Sequence, residues 1–257
     1  MKTPLVYYGG KQTMLKHILP LIPEHSIYTE AYAGGCAVLF AKTPSKVEVI
    51  NDLNGELINF YRICQLQPEA LQREIKTSLH ARELNEHALH IYRHPVFFNP
   101  VQRAWAVWFS LKTSFSAQIS GGFSYDRHGK KPTALQTAVN RFDDAIIERV
   151  KQITIEQNEA TKIIRIYDTP DTFHFIDPPY VDCNQGHYNG MFNHQSLVEL
   201  LELCSSLQGK FMLTMYPNDV IQSFADKYHW TIHEVNRTVT AAKTTRRKQV
   251  EWMVCNY

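Results

Sequence analysis

The chain has 257 residues, with 27 Lys+Arg against 25 Asp+Glu and a formal net charge of +2. Its 44% hydrophobic and 20% charged residues exclude an intrinsically disordered protein, and 11 Gly and 12 Pro exclude a collagen-like or linker-rich chain. The length fits one large domain, or one domain carrying a smaller inserted one. Near-neutrality does not exclude nucleic acid, because a DNA-binding enzyme needs a positive face rather than a positive whole. The five cysteines, Cys36, Cys64, Cys183, Cys204 and Cys255, are scattered without a CxxC pair. That pattern argues against a disulfide framework or a thiolate zinc site, and a cytoplasmic location is expected. Residues 1–10 reach Gly9-Gly10 without a long apolar run, so no signal peptide is expected. Nor does any apolar run approach the roughly 20 residues of a bilayer span, so no membrane partner is expected.

In chain order, Gly9-Gly10-Lys11-Gln12 precedes a helical pattern of Met14, Leu15, Ile18, Leu19 and Ile22. A short β-prone stretch, Ser26 to Glu30, leads through Gly34-Gly35-Cys36 into a small apolar helix start at Ala37 to Phe40. Lys46 to Ile50 alternates as a strand and ends at Asn51-Asp52, before a helical pattern of Leu53, Leu57, Ile58 and Tyr61. Strand, glycine turn, helix, strand, acid and helix predict a parallel α/β sheet. Residues 63–150 read differently. Leu66 to Leu89 is polar helix material, Val101 to Leu111 an apolar helix, and Leu135 to Val150 a further helix. Between them, turn residues around Phe123-Ser124-Tyr125 predict a hairpin or long loop tipped by Arg127-His128-Gly129-Lys130-Lys131. The α/β pattern resumes with strands at Ile153 to Ile155, Thr172 to Ile176, Lys210 to Met215, Trp230 to Val235 and Val250 to Cys255. Helices are expected at Thr161 to Arg165, Ser196 to Leu207 and Asn218 to Ala225. The expected domains are therefore 1–62 with 151–257, and a mainly helical insert at 63–150.

The sharpest chemical signal is Asp177-Pro178-Pro179-Tyr180, at the end of the apolar strand Thr172 to Ile176. Proline fixes φ and lacks an N–H, so the turn is stiff and its carbonyls remain acceptors. Ligands of open α/β sheets bind at the carboxyl ends of strands. An acid, an acceptor carbonyl and an aromatic face suit a flat ring that bears an amino group; the plain alternative is a turn that ends a strand. In Glu30-Ala31-Tyr32-Ala33-Gly34-Gly35-Cys36 the glycines allow close backbone approach, although a tight turn would use them equally. GxGxxG is absent, which disfavours a dinucleotide site. Asp52, 22 residues beyond Glu30, suits the two hydroxyls of a ribose, or a helix N-cap, or both.

Together these motifs resemble the Dam-like, D12 class DNA adenine-N6 methyltransferases, in their phage and mobile-element branch. The resemblance covers essentially the whole chain in family order. It runs from Tyr7-Tyr8-Gly9-Gly10-Lys11-Gln12 through Glu30 to Cys36 and Ile50-Asn51-Asp52-Leu53-Asn54. It continues at Tyr167 to Thr172, Asp177 to Tyr180, and Thr244-Thr245-Arg246-Arg247-Lys248-Gln249-Val250-Glu251. It implies a Rossmann-like S-adenosylmethionine-dependent methyltransferase sheet with an inserted target-recognition domain, and S-adenosylmethionine as cofactor. Tyr7 and Lys11 would lie beside the cofactor, with Lys11 at its carboxylate. Glu30 and Gly34 would border its methionine part, Asp52 would hold the ribose hydroxyls, Glu159 would lie near its adenine, and Asp177 would line the same site. Cys36 stands where many members carry a third glycine.

The implied reaction moves a methyl group to N6 of an adenine flipped out of double-stranded DNA. Asp177 and the Pro178 carbonyl would accept the N6 hydrogens, and Tyr180 would stack on the base. Transfer would be a direct in-line displacement aided by orientation and electrostatics. For DNA contacts, residues 236–250 hold Arg237, Lys243, Arg246, Arg247 and Lys248 with no acid, which suits phosphates or simply a solvated charge run. Arg127, Lys130 and Lys131 are the candidates for base reading, because a slim ribbon fits a groove. No metal is expected: His80, His87, His90 and His94 lack a companion acid–cysteine set. Trp105, Trp108 and Phe109 are expected as core of the insert, and Asp168 as a turn former with Pro170. The enzyme is expected to act as a monomer in a bacterial or phage-infected cell, with a cognate restriction nuclease as partner. Alternatives are a methyltransferase on RNA or on a protein glutamine amide, and a DNA-binding regulator without catalysis.

Overall fold

The computed structural model describes residues 1–119, 121–181, 192–238 and 248–257. In chain order its elements are α1 (Leu15–Ile18), β1 (Ile27–Glu30), α2 (Ala37–Ala41), β2 (Val47–Asn51), α3 (Gly55–Leu66), α4 (Pro68–Lys76), α5 (Arg82–Arg93), α6 (Pro100–Thr113), α7 (Lys130–Asn140) and α8 (Asp144–Lys151). They continue with β3 (Thr154–Glu156), α9 (Ala160–Tyr167), β4 (Thr172–Ile176), α10 (His194–Cys204), β5 (Lys210–Met215), α11 (Asp219–Tyr228), β6 (Thr231–Thr238) and β7 (Lys248–Cys255). The strands form one seven-stranded sheet in the order β3-β2-β1-β4-β5-β7-β6. The pairs β1–β2, β1–β4 and β4–β5 are parallel, whereas β7 runs antiparallel to both β5 and β6. This is the Rossmann-like α/β architecture expected from the sequence, and its strand order reverses direction between β1 and β4. Among the described residues, no helix is long and apolar enough to cross a membrane.

The chain divides into two compact units. The second comprises Met14–Ala33, Lys42–Leu53 and Asn158–Tyr257. Its strands alternate side chains between two faces, and its helices repeat apolar positions every three or four residues. On one face, Ile176, Phe211, Leu213, Met215, Trp252 and Val254 pack with Ile164 of α9, Leu197, Leu200 and Leu201 of α10, and Ile221 and Ala225 of α11. Full burial of each such aliphatic side chain contributes about 1.5–3 kcal/mol. Every residue of β4 is buried, as its unbroken Thr-Phe-His-Phe-Ile run requires.

The first unit comprises Met1–Thr13, Gly34–Ala41 and Asn54–Gln157. At its centre α6 packs against α3, α4 and α5. Trp108 and Phe109 are fully buried, and Trp105 stacks on Phe109 with ring centroids 5.0 Å apart. Thus the three aromatics are core. Trp105 Nε1 donates to Ser78 Oγ at 2.8 Å, and Asn85 Nδ2 donates to Thr113 Oγ1 at 2.9 Å.

Several local expectations change. The pattern at Met14 to Ile22 is not one helix: α1 gives way to a 3-10 turn at Leu19–Leu21 that contains Pro20. Residues 66–89 are not one helix: Leu66 ends α3, Pro68 opens α4, and α5 begins at Arg82. The helix expected over 135–150 is two, because the Asp143 carboxylate caps a new one by accepting from the Ile146 N–H. Residues 121–132 form no β-ribbon. A single bridge pairs Ser114 with Phe123, and α7 begins at Lys130.

Candidate active site at the carboxyl edge of the sheet

In the second unit, β2, β1 and β4 are neighbours, and an acid stands at the carboxyl end of each. Glu30 is the last residue of β1, in register with Ile50 and Phe175. Asp52 follows β2 directly and Asp177 follows β4 directly. Three acids from segments far apart in sequence thus share one edge of the sheet, at the point where the strand order reverses. Glu30 is buried, whereas Asp52 and Asp177 are half-buried.

Asn51 arranges this edge. Its Nδ2 donates to the carbonyls of Ala31 (2.9 Å) and Asn158 (3.0 Å), and its Oδ1 accepts from the Asn158 N–H at 2.8 Å. The Ala33 N–H closes the loop onto the Asn51 carbonyl at 2.8 Å. One buried amide therefore fixes the loop after β1 and the segment before α9, and Asp52 is its chain neighbour. Asp52 is not an N-cap. That role belongs to Asn54, whose side chain accepts from the N–H groups of Glu56 and Leu57. Glu159 is exposed at the N-terminus of α9.

At the end of β4, Pro178 is buried and Asp177 Oδ1 accepts from the Thr214 hydroxyl at 2.6 Å. The Tyr180 hydroxyl donates to Glu251 Oε1 at 2.7 Å, and the Tyr180 ring meets Tyr216 edge-on at 4.5 Å between centroids. Burial, and then the charges of Asp177 and Glu251, hold the Tyr180 phenol well above its ordinary pKa of 10.0. It therefore stays protonated, as a donor to a carboxylate must. Sequence reasoning passed over Thr214, Glu251 and Asn51. Their one visible sign is a polar residue inside an apolar strand.

In the first unit, Gly34 has φ +48°, and a Cβ there would lie 3.3 Å from the Tyr7 ring. Glycine thus serves both a left-handed backbone and the packing of Tyr7. The Gly34 carbonyl accepts from the Tyr61 hydroxyl at 3.2 Å. Cys36 also lies in the left-handed region, at φ +52°, which glycine would occupy without strain. Its side chain is 1% exposed. Lys11 is buried, and its Nζ donates to the Gly9 carbonyl at 3.1 Å.

Of the DNA-contact candidates, Arg127, Lys130 and Lys131 are exposed. They stand at a helix start rather than on a hairpin tip. The Asp126 carboxylate accepts from the N–H groups of His128, Lys130 and Lys131 at 2.6, 3.1 and 2.6 Å, which folds the chain into α7. Arg246 and Arg247 lie outside the described residues, as do Lys243 and Cys183; Lys248 opens β7, and its side chain is likewise not described. Asp168, expected as a turn former with Pro170, makes side-chain bonds beyond that turn. Its carboxylate accepts from the N–H groups of Gln208 and Gly209, each at 2.9 Å.

Residues 7–241 match the family model of the D12 class N6 adenine-specific DNA methyltransferases. The chain is similar to the type II methyltransferase M1.LlaDCHI of Lactococcus lactis subsp. cremoris, at 27% identity over 97% of this chain and 93% of that protein. It is also similar to modification methylase StsI of Streptococcus sanguinis, at 25% over 74% of this chain and 30% of the relative. Type II methyltransferase M.FokI of Planomicrobium okeanokoites matches at 22% over 100% of this chain and 43% of its own length. With that match spanning most of its length, and with acids at the ends of β1, β2 and β4, the chain belongs to the D12 class N6 adenine-specific DNA methyltransferases, enzymes that methylate adenine in DNA.

Proposed function

We propose that the carboxyl edge of β1, β2 and β4 takes S-adenosylmethionine and that the Asp177 to Tyr180 turn takes the target adenine. The single observation that carries this reading is the alignment of Glu30, Asp52 and Asp177 at the ends of three adjacent strands. The donor set fits such a ligand. Ribose hydroxyls, an ammonium and a sulfonium all seek acceptors or negative charge, and this edge offers carboxylates. Asp52 would accept the ribose hydroxyls, Glu30 would face the methionine part, and Glu159 would border the adenine. In the first unit, Tyr7, Lys11 and Gly34 take the cofactor roles that the family resemblance implies. When bound, the cofactor supplies an electrophilic methyl group.

The chain's own residues act on the amino group. The N6 lone pair is delocalised into the adenine ring, which makes N6 a poor nucleophile. Asp177 and the Pro178 carbonyl accept its two hydrogens, localise the lone pair and offset the positive charge that grows there. Tyr180 stacks on the ring and fixes its plane. A base in a duplex is out of reach, so it is flipped into this turn. Target recognition is assigned to 63–150, with Arg127, Lys130 and Lys131 as candidate readers and Arg246, Arg247 and Lys248 as phosphate contacts. We also propose that the enzyme acts as a cytoplasmic monomer beside a cognate restriction nuclease.

The test is transfer from labelled S-adenosylmethionine to unmethylated genomic DNA, with single-molecule sequencing of the product. The expected product is N6-methyladenine at one short word. Asp177→Ala should lower the rate on the order of 100-fold or more, because it removes an electrostatic partner of the reacting atom. Its cofactor affinity should stay within about threefold, since other groups supply most of that binding. Full activity in Asp177→Ala would sink the assignment.

A further inference from the structure

We propose that Thr214 and Glu251 are positioning residues for methyl transfer: Thr214 sets the attitude of the Asp177 carboxylate, and Glu251 sets that of the Tyr180 ring. The proposal rests on the assignment of Asp177 and Tyr180 to the target base. Both residues are polar intruders in core strands. Thr214 interrupts Phe211-Met212-Leu213 and Met215 of β5, and Glu251 adjoins Trp252-Met253-Val254-Cys255 of β7. Both are fully buried. A buried carboxylate or hydroxyl is costly unless hydrogen-bonded, so each needs a partner that justifies its place. The partners are the two side chains that bear the proposed chemistry. Thr214 Oγ1 donates to Asp177 Oδ1 at 2.6 Å, and Glu251 Oε1 accepts from Tyr180 at 2.7 Å.

The sheet explains why these two positions serve. β5 and β7 are antiparallel, with Thr214 opposite Met253 and Met215 opposite Trp252. One step further, the chain leaves β5 at Tyr216 as β7 arrives with Glu251. Glu251 therefore stands at the carboxyl end of β5, on the edge where β4 delivers Asp177. With Oδ1 tied to Thr214, the carboxylate plane is fixed, and with it the direction in which Asp177 accepts. Tyr180 is held at its phenol end by Glu251 and along its ring by the edge-on contact with Tyr216. A ring clamped at two places cannot swing out of the plane in which it stacks. Pro178 and Pro179 fix the backbone that joins the two side chains.

The test compares single-turnover transfer rates, with cofactor and DNA affinities measured beside them. Thr214→Val keeps the shape and removes the hydroxyl; Thr214→Ser restores it. Tyr180→Phe removes the donor, and Glu251→Gln keeps the size but weakens the acceptor. Thr214→Val and Tyr180→Phe should each slow transfer about 10- to 100-fold, the scale of a small misplacement of reacting groups. Both affinities should stay within about threefold, since the interactions removed orient rather than bind. Thr214→Ser should recover the rate to within about threefold of wild type, because the donor is restored. Glu251→Gln combined with Tyr180→Phe should be no more than about threefold slower than the slower single variant, since both act on the same Tyr180–Glu251 hydrogen bond. Full rates in Thr214→Val and Tyr180→Phe, beside an inactive Asp177→Ala, would overturn this proposal alone. So would independent, multiplying effects of Glu251→Gln and Tyr180→Phe, or a Thr214→Ser that fails to rescue. No transfer to adenine by the unaltered chain would overturn both this proposal and the reading beneath it.

Discussion

His174 sits in the middle of β4 with no exposed surface, and its ring nitrogens meet Thr29 and Asp168. Asp168 Oδ1, 3.3 Å from Nε2, is an acceptor, so Nε2 carries the proton. Nδ1 then accepts from the Thr29 hydroxyl at 2.8 Å, across the register pair that joins β1 and β4. Burial lowers the pKa of His174 from 6.5, against the opposing pull of Asp168. The folded state thus holds this proton less tightly than the unfolded chain does. Its contribution to stability is fully present above pH 6.5 and is lost as pH falls below that value toward the lowered folded pKa. Urea midpoints should therefore drop between pH 7 and pH 5, and His174→Gln should flatten that drop. Parallel midpoint curves for the two proteins would show that the linkage lies elsewhere.

Helix α6 shows how far local sequence specifies an element. Asn99 caps it by accepting from the Gln102 N–H at 3.0 Å, Gln102 returns the bond to the Asn99 N–H at 3.2 Å, and Pro100 opens the helix. Asn99→Ala should cost about 1 kcal/mol of folding free energy in urea titration, and Asn99→Ser much less, because serine caps nearly as well. The apolar run from Val101 to Leu111 made the helix legible in advance, and mainly apolar runs did the same for β4 and β5. The helix breaks were harder. Asp143 starts a new helix by capping it and Asp126 by accepting from the first N–H groups of α7, and a charged residue in a polar stretch looks alike whether it binds such groups or faces water. The site divides in the same way. An acid just past an apolar strand marks Asp52 and Asp177 in the sequence. Glu251 meets Tyr180 from 71 positions away in the chain, and only the assembled sheet defines that pairing.

For the whole molecule, the governing number is a net charge of only +2 on a protein that handles a polyanion. Affinity for DNA must then come from local clusters, and the sequence offers two of different character. Residues 236–250 carry five basic side chains and no acid, whereas 63–150 carries 11 against 8 acidic ones. The first suits contacts with phosphates, which are alike at every site; the second suits a few contacts that tell bases apart. Replacing Arg246, Arg247 and Lys248 by alanine should weaken binding to all DNA sequences alike. It should also make the slope of log affinity against log salt shallower by about 2.7, at roughly 0.9 for each phosphate that is no longer neutralised. The methylated word should be unchanged. Arg127→Ala should do the reverse, relaxing one position of that word at a cost of about 1–3 kcal/mol and moving the salt slope by no more than about 0.9. Filter binding at several salt concentrations, followed by sequencing of the methylated product, separates the two. An unchanged salt slope in the triple variant would remove residues 246–248 from the DNA interface, and base reading would then have to be sought without a phosphate clamp at that end of the chain.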